Sequence, residues 1–403
     1  MSKTLKEKIL VVADRVEEYS LYAIVFFIPI SIAAIESFFG LAFLAFIIKK
    51  IILPDFTFIK SRIHFFLLLF FIFCGLSLLN SGLYIDKSFR ALFGKWGQYI
   101  LIFFLVQDAL VSSKRIRNIV RIFLFAGCLV AVDGISQYLF GCEFLRGRQI
   151  IATKQVLNAV TGPFNHYNGL AAYLICILAL FMAAISIKSS SQLSTSLRNK
   201  VIFCGLSLGL FLSGACILLT FSRGGWIGLL FAVLLMLILS GKWKVILPIL
   251  CIFIFLLISI PALRERAVFI FASDGDASRF AIWKGAWGMI KEHPFLGKGL
   301  GTFMANFSQY TRGLGVQYAH NCYLQIWAET GIFALLSFIS FLFLLLWQGI
   351  KSFKRSHDYI VLGVLCAIFG FLVHSFFDTH FYSLQLAVLF WFMAGVLARH
   401  CEL

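Results

Sequence analysis

The sequence predicts an all-α polytopic integral membrane protein with about twelve transmembrane helices. Of its 403 residues, 61% are hydrophobic and 13% are charged. The mean hydropathy is +0.94, and these values lie far from the balance of a soluble domain. Apolar runs close to the bilayer-spanning length of about 20 residues follow one another with short connectors. We therefore expect a single transmembrane domain over residues 1–403.

A scan for apolar runs of spanning length gives the positions of the predicted helices. They cover residues 19–35, 37–53, 63–80, 97–111, 119–140, 167–187, 201–221, 225–240, 244–262, 331–350, 359–376 and 381–398. The charged stretch before the first run, and the lack of a small-residue cleavage site after it, argue against a cleaved signal peptide. We expect that run to remain as the first span.

Lysine and arginine residues are concentrated in every second connector. By the positive-inside rule these connectors face the cytoplasm, so both termini would be cytoplasmic. The long polar segment 263–330, inserted between the ninth and tenth spans, would lie on the outer side. Because membrane side explains much of the net charge of +17, the charge does not by itself indicate a partner, and we expect no nucleic acid.

Cations on the outer side depart from this rule and are more informative. An anionic ligand at the outer leaflet would explain them, although solvation and contact with lipid phosphates are the favoured explanation for any single one. The outer cations considered as candidate ligands are Arg146, Arg148, Arg223, Arg279 and Lys298.

Arg223 belongs to the segment Thr220-Phe221-Ser222-Arg223-Gly224-Gly225-Trp226, which joins two spans with almost no loop. Burying a guanidinium there costs several kcal/mol unless it is paired or lines a wet cavity. Snorkelling to the interface is the alternative. The two glycines favour a ligand, because they let it approach the backbone closely, and the planar arginine fork suits a phosphate.

Arg279 opens an amphipathic pattern that predicts a helix lying along the membrane surface. The apolar positions are Phe280, Trp283, Ala286, Trp287 and Ile290. An arginine near the N-terminus of such a helix would reinforce the positive end of the dipole and help to bind a phosphate. A solvated position on the polar face is the alternative.

His320 is the candidate general base, with Tyr318 and Asn321 beside it. The unperturbed pKa of histidine, near 6.5, permits proton exchange at neutral pH. A single histidine is more often structural, but two outer arginines accompany this one. His166 is comparable but less well supported. The same holds for His374 and His380 around Asp378, which could equally cap helices at the outer interface.

Three further patterns, of glycine, aspartate and cysteine residues, are not assigned to a ligand site. Gly297, Gly299 and Gly301 lack a preceding βαβ unit, so they predict a tight turn back to the membrane and not a dinucleotide site. Asp274-Gly275-Asp276 has the form used by metal-dependent glycosyltransferases, but cationic side chains could neutralise a diphosphate, so we assign no metal. Cys142 and Cys322 fall in connectors on the same side, which leaves a disulfide between them open.

Three motifs together resemble the O-antigen ligase family, whose shared membrane region also occurs in O-antigen polymerases. They are Ser222-Arg223-Gly224-Gly225; Arg279-x-x-x-Trp283 through Pro294-x-x-Gly297-x-Gly299; and His320-Asn321-x-x-Leu324-x-x-x-x-Glu329-x-Gly331. The order and spacing match over about residues 200–335. The earlier spans match only in general pattern.

The resemblance implies a lipid-carrier-dependent glycosyltransferase of the bacterial inner membrane whose segment 263–330 is a periplasmic catalytic loop. A ligase of this family transfers a glycan from undecaprenyl diphosphate to lipid A–core, without nucleotide, metal or other cofactor. The family's essential arginines correspond to Arg223 and Arg279, and its essential histidine to His320. The arginines would bind the diphosphate, and the histidine would activate the acceptor hydroxyl for an inverting attack.

Two other functions remain open. A polymerase performs the same chemistry with a carrier-linked repeat as the acceptor. A transporter of an anionic lipid or solute would need functional charges in mid-span. The spans are nearly free of such charges apart from Glu36, Asp108 and Asp133, and a transporter would not explain His320.

Overall fold

The computed structural model describes residues 3–56, 61–147, 159–190, 197–259, 261, 264, 274–311 and 318–402. Helices account for 83% of the structure, and the described residues contain no β-strand. The all-helical fold class predicted from composition is therefore confirmed.

Fifteen α-helices occur in the described residues. The first ten are α1 Lys3–Phe27, α2 Ile32–Ile52, α3 Arg62–Leu76, α4 Ile85–Ala91, α5 Gly97–Ala109, α6 Ser113–Phe140, α7 Tyr167–Ser190, α8 Leu197–Leu219, α9 Arg223–Leu239 and α10 Ile246–Ser259. The remaining five are α11 Asp274–Glu292, α12 Phe303–Phe307, α13 Cys322–Ser356, α14 Tyr359–His374 and α15 Leu384–Glu402. A π-helical turn, Leu92–Trp96, joins α4 to α5.

Eight stretches of the described helices are long and apolar enough to cross a membrane. Two shorter apolar helices, α9 and α14, correspond to the eighth and eleventh predicted spans. The first predicted span overlaps α1 and the ninth overlaps α10. A polytopic membrane protein is thus confirmed, whereas the number of twelve spans stays a prediction.

The helices α7, α14 and α15 form the centre of the bundle. α14 packs against both α7 and α9, and α15 packs against α5. α7 and α15 are apolar on nearly every side, as expected for helices surrounded by other helices. α13 packs along α3 and is broken at Gly331, whose φ of 80° and ψ of 176° separate residues 322–330 from the longer apolar part.

Ion pairs hold the helix ends together at one end of the bundle. Lys49 at the end of α2 contacts Glu17 in α1 at 2.6 Å and Asp108 in α5 at 2.7 Å. His400 near the end of α15 contacts Asp358 at the start of α14 at 2.9 Å. Because Asp358 caps the start of α14 and the helix ends at His374, the residues around His374 lie at the opposite end.

Cys142 and Cys322 do not form the disulfide that the sequence left open. Both thiols are free; Cys142 is exposed and Cys322 is buried. The Cys322 thiol donates a hydrogen bond to the carbonyl oxygen of Asp378 at 3.2 Å. Cys322 therefore helps to fix the connector between α14 and α15.

Candidate active site

The predicted site residues come together where several helix ends meet. The start of α7, the start of α9, the second turn of α11, the segment before α13 and the connector after α14 all contribute side chains. Residues separated by most of the chain are thereby brought into contact.

Arg223 is the first residue of α9, and Ser222 caps that helix. The Ser222 hydroxyl accepts a hydrogen bond from the Gly225 amide at 3.1 Å, as an N-cap residue does. Phe221, directly before the cap, adopts the left-handed region with a φ of 50°. A bulky residue rarely adopts this conformation, and such strain is concentrated at functional sites. The turn aims Arg223 from the helix N-terminus into the site.

Gly224 and Gly225 allow close helix packing. A Cβ at Gly224 would lie 2.9 Å from the ring of His374, and one at Gly225 would lie 2.7 Å from the Cβ of Ala171. The Gly225 amide is already used by the Ser222 cap. The prediction that these glycines let a ligand approach the backbone closely therefore gives way to helix packing at Gly225.

Arg279 lies in the second turn of α11, because that helix begins at Asp274. The expected placement of Arg279 at the helix N-terminus is thus corrected. The predicted apolar face is also rotated: Ile282, Ala286 and Ile290 are buried, whereas Phe280 is 68% exposed. One turn after Arg279, the Trp283 indole donates a hydrogen bond to the Ala319 carbonyl at 3.1 Å. This contact ties α11 to the residue next to His320.

Arg223 and Arg279 line one small polar cavity of about 20 Å³. The other lining residues are Tyr167, Asn168, Gly224, His374 and Phe377. A cavity of this volume holds about one water-sized group. Two guanidinium groups that converge on a polar cavity form an anion site that can donate several hydrogen bonds at once.

His320 pairs with Asp378, which comes from the connector after α14. The ring Nδ1 of His320 lies 3.1 Å from Oδ1 of Asp378. Because an ionised carboxylate only accepts hydrogen bonds, Nδ1 carries the proton in this pair and Nε2 keeps its lone pair. His320 also adopts the left-handed region, with a φ of 49°, and 38% of its side chain is exposed. The ring is thus oriented by Asp378 while remaining accessible.

A chain of hydrogen bonds connects this pair to the N-terminus of α9. The Asn168 side chain donates to Oδ2 of Asp378 at 2.6 Å. The Ser222 hydroxyl in turn donates to the side-chain oxygen of Asn168 at 2.7 Å. The histidine and the helix that carries Arg223 are therefore held in register by Asp378, Asn168 and Ser222.

Asp378 is charged in this arrangement. Burial raises the pKa of its carboxyl, but the hydrogen bond from His320, the electrostatic interaction with the His380 and His320 rings and the hydrogen bond from the Thr379 amide outweigh burial and hold the pKa well below its usual range. His166 lies in the same electrostatic environment. Burial lowers the pKa of His166, the Asp378 carboxylate raises it, and the charges of His320 and Arg279 lower it further.

The glycine-rich turn after α11 locks onto the break in α13. The amides of Lys298 and Gly299 donate to the carbonyls of Ala328 and Glu329 at 3.0 and 2.8 Å, replacing the helical bonds that the break removes. Gly297, Gly299 and Gly301 all have positive φ, so the predicted tight turn is present.

The Glu329 carboxylate is buried and organises this turn. It accepts hydrogen bonds from the amides of Gly301 and Phe303 at 2.9 and 3.1 Å. The Tyr382 hydroxyl and the Gln325 side chain also donate to it. The motif residue Glu329 thus holds the loop that follows α11 against α13.

The remaining predicted residues lie outside this cluster. Asn321 caps α13 through the Leu324 amide at 3.0 Å, and Arg146 donates to the carbonyls of Ile30 and Pro163. Lys298 pairs with Glu292 at 2.9 Å. Tyr318 lines a different cavity.

Arg148 and the side chains of Asp274 and Asp276 lie outside the described residues. Among the side chains that are described, no group of three or more His, Cys, Asp or Glu residues is arranged to hold a metal ion.

Residue type and position in the sequence do not indicate the roles of Asp378, Asn168 and Ser222. Asp378 lies between His374 and His380, where a helix cap is the competing interpretation. The only signal for it is an acidic residue at a predicted outer helix end, flanked by two histidines. Asn168 carries no signal beyond its place beside His166.

Fold and site together define a multi-pass helical membrane protein with a cationic, histidine-containing site at one end of its helices. The sequence model of the family described as O-antigen ligase matches residues 208–339, a region that contains Arg223, Arg279 and His320. Residues 208–339 are thus similar to the domain that O-antigen ligases and polymerases share, which confirms the resemblance indicated by the motifs.

Members of this superfamily are glycosyltransferase-like ligases and polymerases, which supports an enzymatic role in lipopolysaccharide biosynthesis and lipid-linked glycan substrates. Comparison with curated proteins gives no match.

Proposed function

We propose that the protein is an O-antigen ligase, which transfers a glycan from undecaprenyl diphosphate to lipid A–core at the periplasmic face of the bacterial inner membrane. The observation that carries the proposal is the convergence of Arg223 and Arg279 on one cavity next to the His320–Asp378 pair. The reaction needs neither nucleotide nor metal, because the lipid-linked diphosphate is already a good leaving group.

Arg223 and Arg279 bind the diphosphate in this mechanism. As the bond between the anomeric carbon and the phosphate oxygen breaks, its electron pair remains on the diphosphate, and the two guanidinium groups stabilise the added charge. The cavity of about 20 Å³ is smaller than a diphosphate. The two arginine side chains must therefore move apart when the donor binds.

His320 activates the acceptor. Its Nε2 takes the proton of the acceptor hydroxyl while the oxygen attacks the anomeric carbon from the face opposite the diphosphate, which inverts the configuration. Asp378 holds Nδ1 protonated and stabilises the imidazolium that forms. Asp378 is thus a positioning residue, because it acts through His320.

An apolar groove beside the site suits the polyprenyl chain. It has a volume of about 410 Å³ and is lined by α8, α9 and one residue of α10. Its lining includes Trp226, one turn after Arg223, and Phe211. A donor whose diphosphate contacts Arg223 could therefore place the first units of its lipid tail in this groove.

The alternative within the superfamily is a polymerase, because the site chemistry is the same and only the acceptor differs. A transporter is less well supported, since two of the three acidic residues that it would use, Asp108 and Asp133, have structural partners. Asp133 accepts hydrogen bonds from the amides of Phe144 and Leu145 at 2.8 and 3.0 Å. Asp108 pairs with Lys49 and Lys50.

The test uses purified protein, undecaprenyl-diphosphate-linked glycan and lipid A–core in the presence of EDTA. We expect a mobility shift of lipid A–core with the wild type and with the surface variant His357→Asn, but not with His320→Ala. Lengthening of the carrier-linked glycan alone would make the protein a polymerase. If folded wild-type protein gives neither product, the glycosyltransferase proposal is overturned.

A further inference from the structure

A second cavity lies beside the candidate active site and has no role in the mechanism above. Its volume is about 420 Å³, within the range of roughly 300–1,000 Å³ that is typical of small-molecule sites. We call it the basic cavity, because Lys87, Arg90 and Lys95 line it. Trp96, Tyr318 and Tyr382 contribute aromatic walls.

The cations of the basic cavity are available for a ligand. Lys87, Arg90 and Lys95 are all exposed, and within the described part of the chain no carboxylate forms a salt bridge with them. In the same part of the chain, one cation–aromatic pair involves these three residues: Nζ of Lys87 lies 5.0 Å from the centroid of the Tyr84 ring. The carboxylate that lines the cavity, Glu329, has hydrogen-bond donors on both oxygens.

The walls of the basic cavity are firmly held. The Leu300 amide donates to the Ser77 hydroxyl, and the Asn80 side chain donates to the Gly297 carbonyl at 2.9 Å. These two hydrogen bonds join the segment after α3 to the glycine-rich turn. The π-helical turn Leu92–Trp96 then carries Lys95 and the buried Trp96. π-Helical turns are rare and frequently occur at functional sites.

The basic cavity is lined in part by the two segments that also carry His320 and Asp378. Tyr318 precedes His320 by two positions, and the Gln325 side chain in the cavity lining accepts a hydrogen bond from the intervening Ala319 at 3.0 Å. On the other wall, Tyr382 lies in the same connector as Asp378. A molecule bound in the basic cavity would therefore lie next to the segment that carries the general base.

We propose that the basic cavity binds an anionic sugar, phosphorylated or carboxylated, of the acceptor glycan. The inference rests on the proposed function, which needs a second substrate site because the arginine cavity takes the donor diphosphate. Aromatic walls suit the apolar faces of a sugar ring, and three cations without carboxylate partners suit its negative charge.

The test replaces the three cations together, as Lys87→Gln, Arg90→Gln and Lys95→Gln, and uses Lys291→Gln, an exposed cation on α11 outside the cavity, as the control. With a phosphorylated acceptor, we expect the triple variant to raise the acceptor KM about tenfold and to leave kcat and the donor KM near the wild-type values. With an enzymatically dephosphorylated acceptor, the triple variant and the wild type should have the same acceptor KM. An unchanged acceptor KM in the triple variant would overturn the inference while leaving the transferase function intact.

Two further arms separate the inference from its alternatives. If the wild type shows no transfer, binding of a soluble phosphorylated oligosaccharide is measured directly, and equal binding by wild type and triple variant would overturn the inference. Activity is also compared in nanodiscs of phosphatidylcholine alone and with added phosphatidylglycerol. If the triple variant differs from wild type only when phosphatidylglycerol is present, the cations bind lipid headgroups, and the sugar site is rejected.

Discussion

Asp378 lies 3.1 Å from Nδ1 of His320, although the two residues belong to connectors on either side of α13 and α14. The Asn168 side chain donates to the other carboxylate oxygen, Oδ2, and the Thr379 amide donates to Oδ1. Because these donors occupy the carboxylate, its position is set by the protein rather than by the histidine. The pair therefore orients the ring and selects the tautomer in which Nε2 can accept a proton.

Replacing Asp378 with Asn tests this relationship. The Asn side chain can present its NH₂ group to Nδ1, which would place the ring proton on Nε2 and remove the base. We expect kcat to fall by roughly 100- to 10,000-fold while the donor KM changes little. Steady-state glycan transfer measures both values, with Glu36→Gln, an exposed carboxylate in α2, as the control. A rise in KM with kcat retained would show that Asp378 serves substrate binding instead.

The sequence predicted the fold class and most helix positions because both depend on local composition and hydropathy. The break at Gly331 was harder to interpret. The residue appeared only as part of a motif, and its function depends on Phe295, which a linear pattern cannot place beside it. A Cβ at Gly331 would lie 2.0 Å from the carbonyl oxygen of Phe295.

The candidate site was predictable for residues whose chemistry is unusual in their setting. Arg223, Arg279 and His320 are charged or titratable groups at predicted outer helix ends, so residue type alone singles them out. Asp378 and Asn168 could not be assigned in this way, because their roles depend on contacts between distant connectors. The buried face of α11 was mispredicted for another reason: the aromatic residues Phe280 and Trp287 are apolar but exposed, so the hydrophobic pattern was rotated relative to the buried face.

Arg279→Lys should separate charge from hydrogen-bond geometry at the arginine cavity. Lysine keeps the charge but lacks the planar fork that contacts two phosphate oxygens at once. We expect kcat/KM for the donor to fall by roughly 10- to 100-fold, and by more for Arg279→Ala. Lys284→Ala, on an exposed position of the same helix, is the matched control for Arg279→Ala. Equal activity of Arg279→Lys and wild type would mean that charge alone suffices.

Gly331→Ala should destabilise the protein. The φ of 80° is unfavourable for alanine, and the added methyl group would collide with the backbone of Phe295. Strain and overpacking together suggest a loss of about 3 kcal/mol. Thermal unfolding in detergent measures it, with Gly205→Ala as the control, since a Cβ there meets nothing within 4 Å. A melting temperature equal to that of the control would contradict the interlocked backbone described here.

His380 predicts a pH dependence of stability. The residue is buried, with 2% of its surface exposed, and its ring centroid lies 4.3 Å from that of His374. Burial lowers the pKa of His380 from 6.5 to about 4, despite the opposing effect of the Asp378 carboxylate. The unfolded chain therefore binds a proton below pH 6.5 that the folded protein excludes until about pH 4.

Stability should consequently fall as the pH is lowered through this window, by up to about 3 kcal/mol from His380. The change in the pKa of His166 acts in the same direction. Melting temperatures between pH 7 and pH 4 should decline less steeply for His380→Gln than for wild type, because glutamine does not titrate. His357→Asn, at an exposed helix end, should keep the wild-type slope. If His380→Gln also keeps the wild-type dependence of melting temperature on pH, the fold does not prevent protonation of His380. The description of His380 as a buried neutral ring would then be wrong.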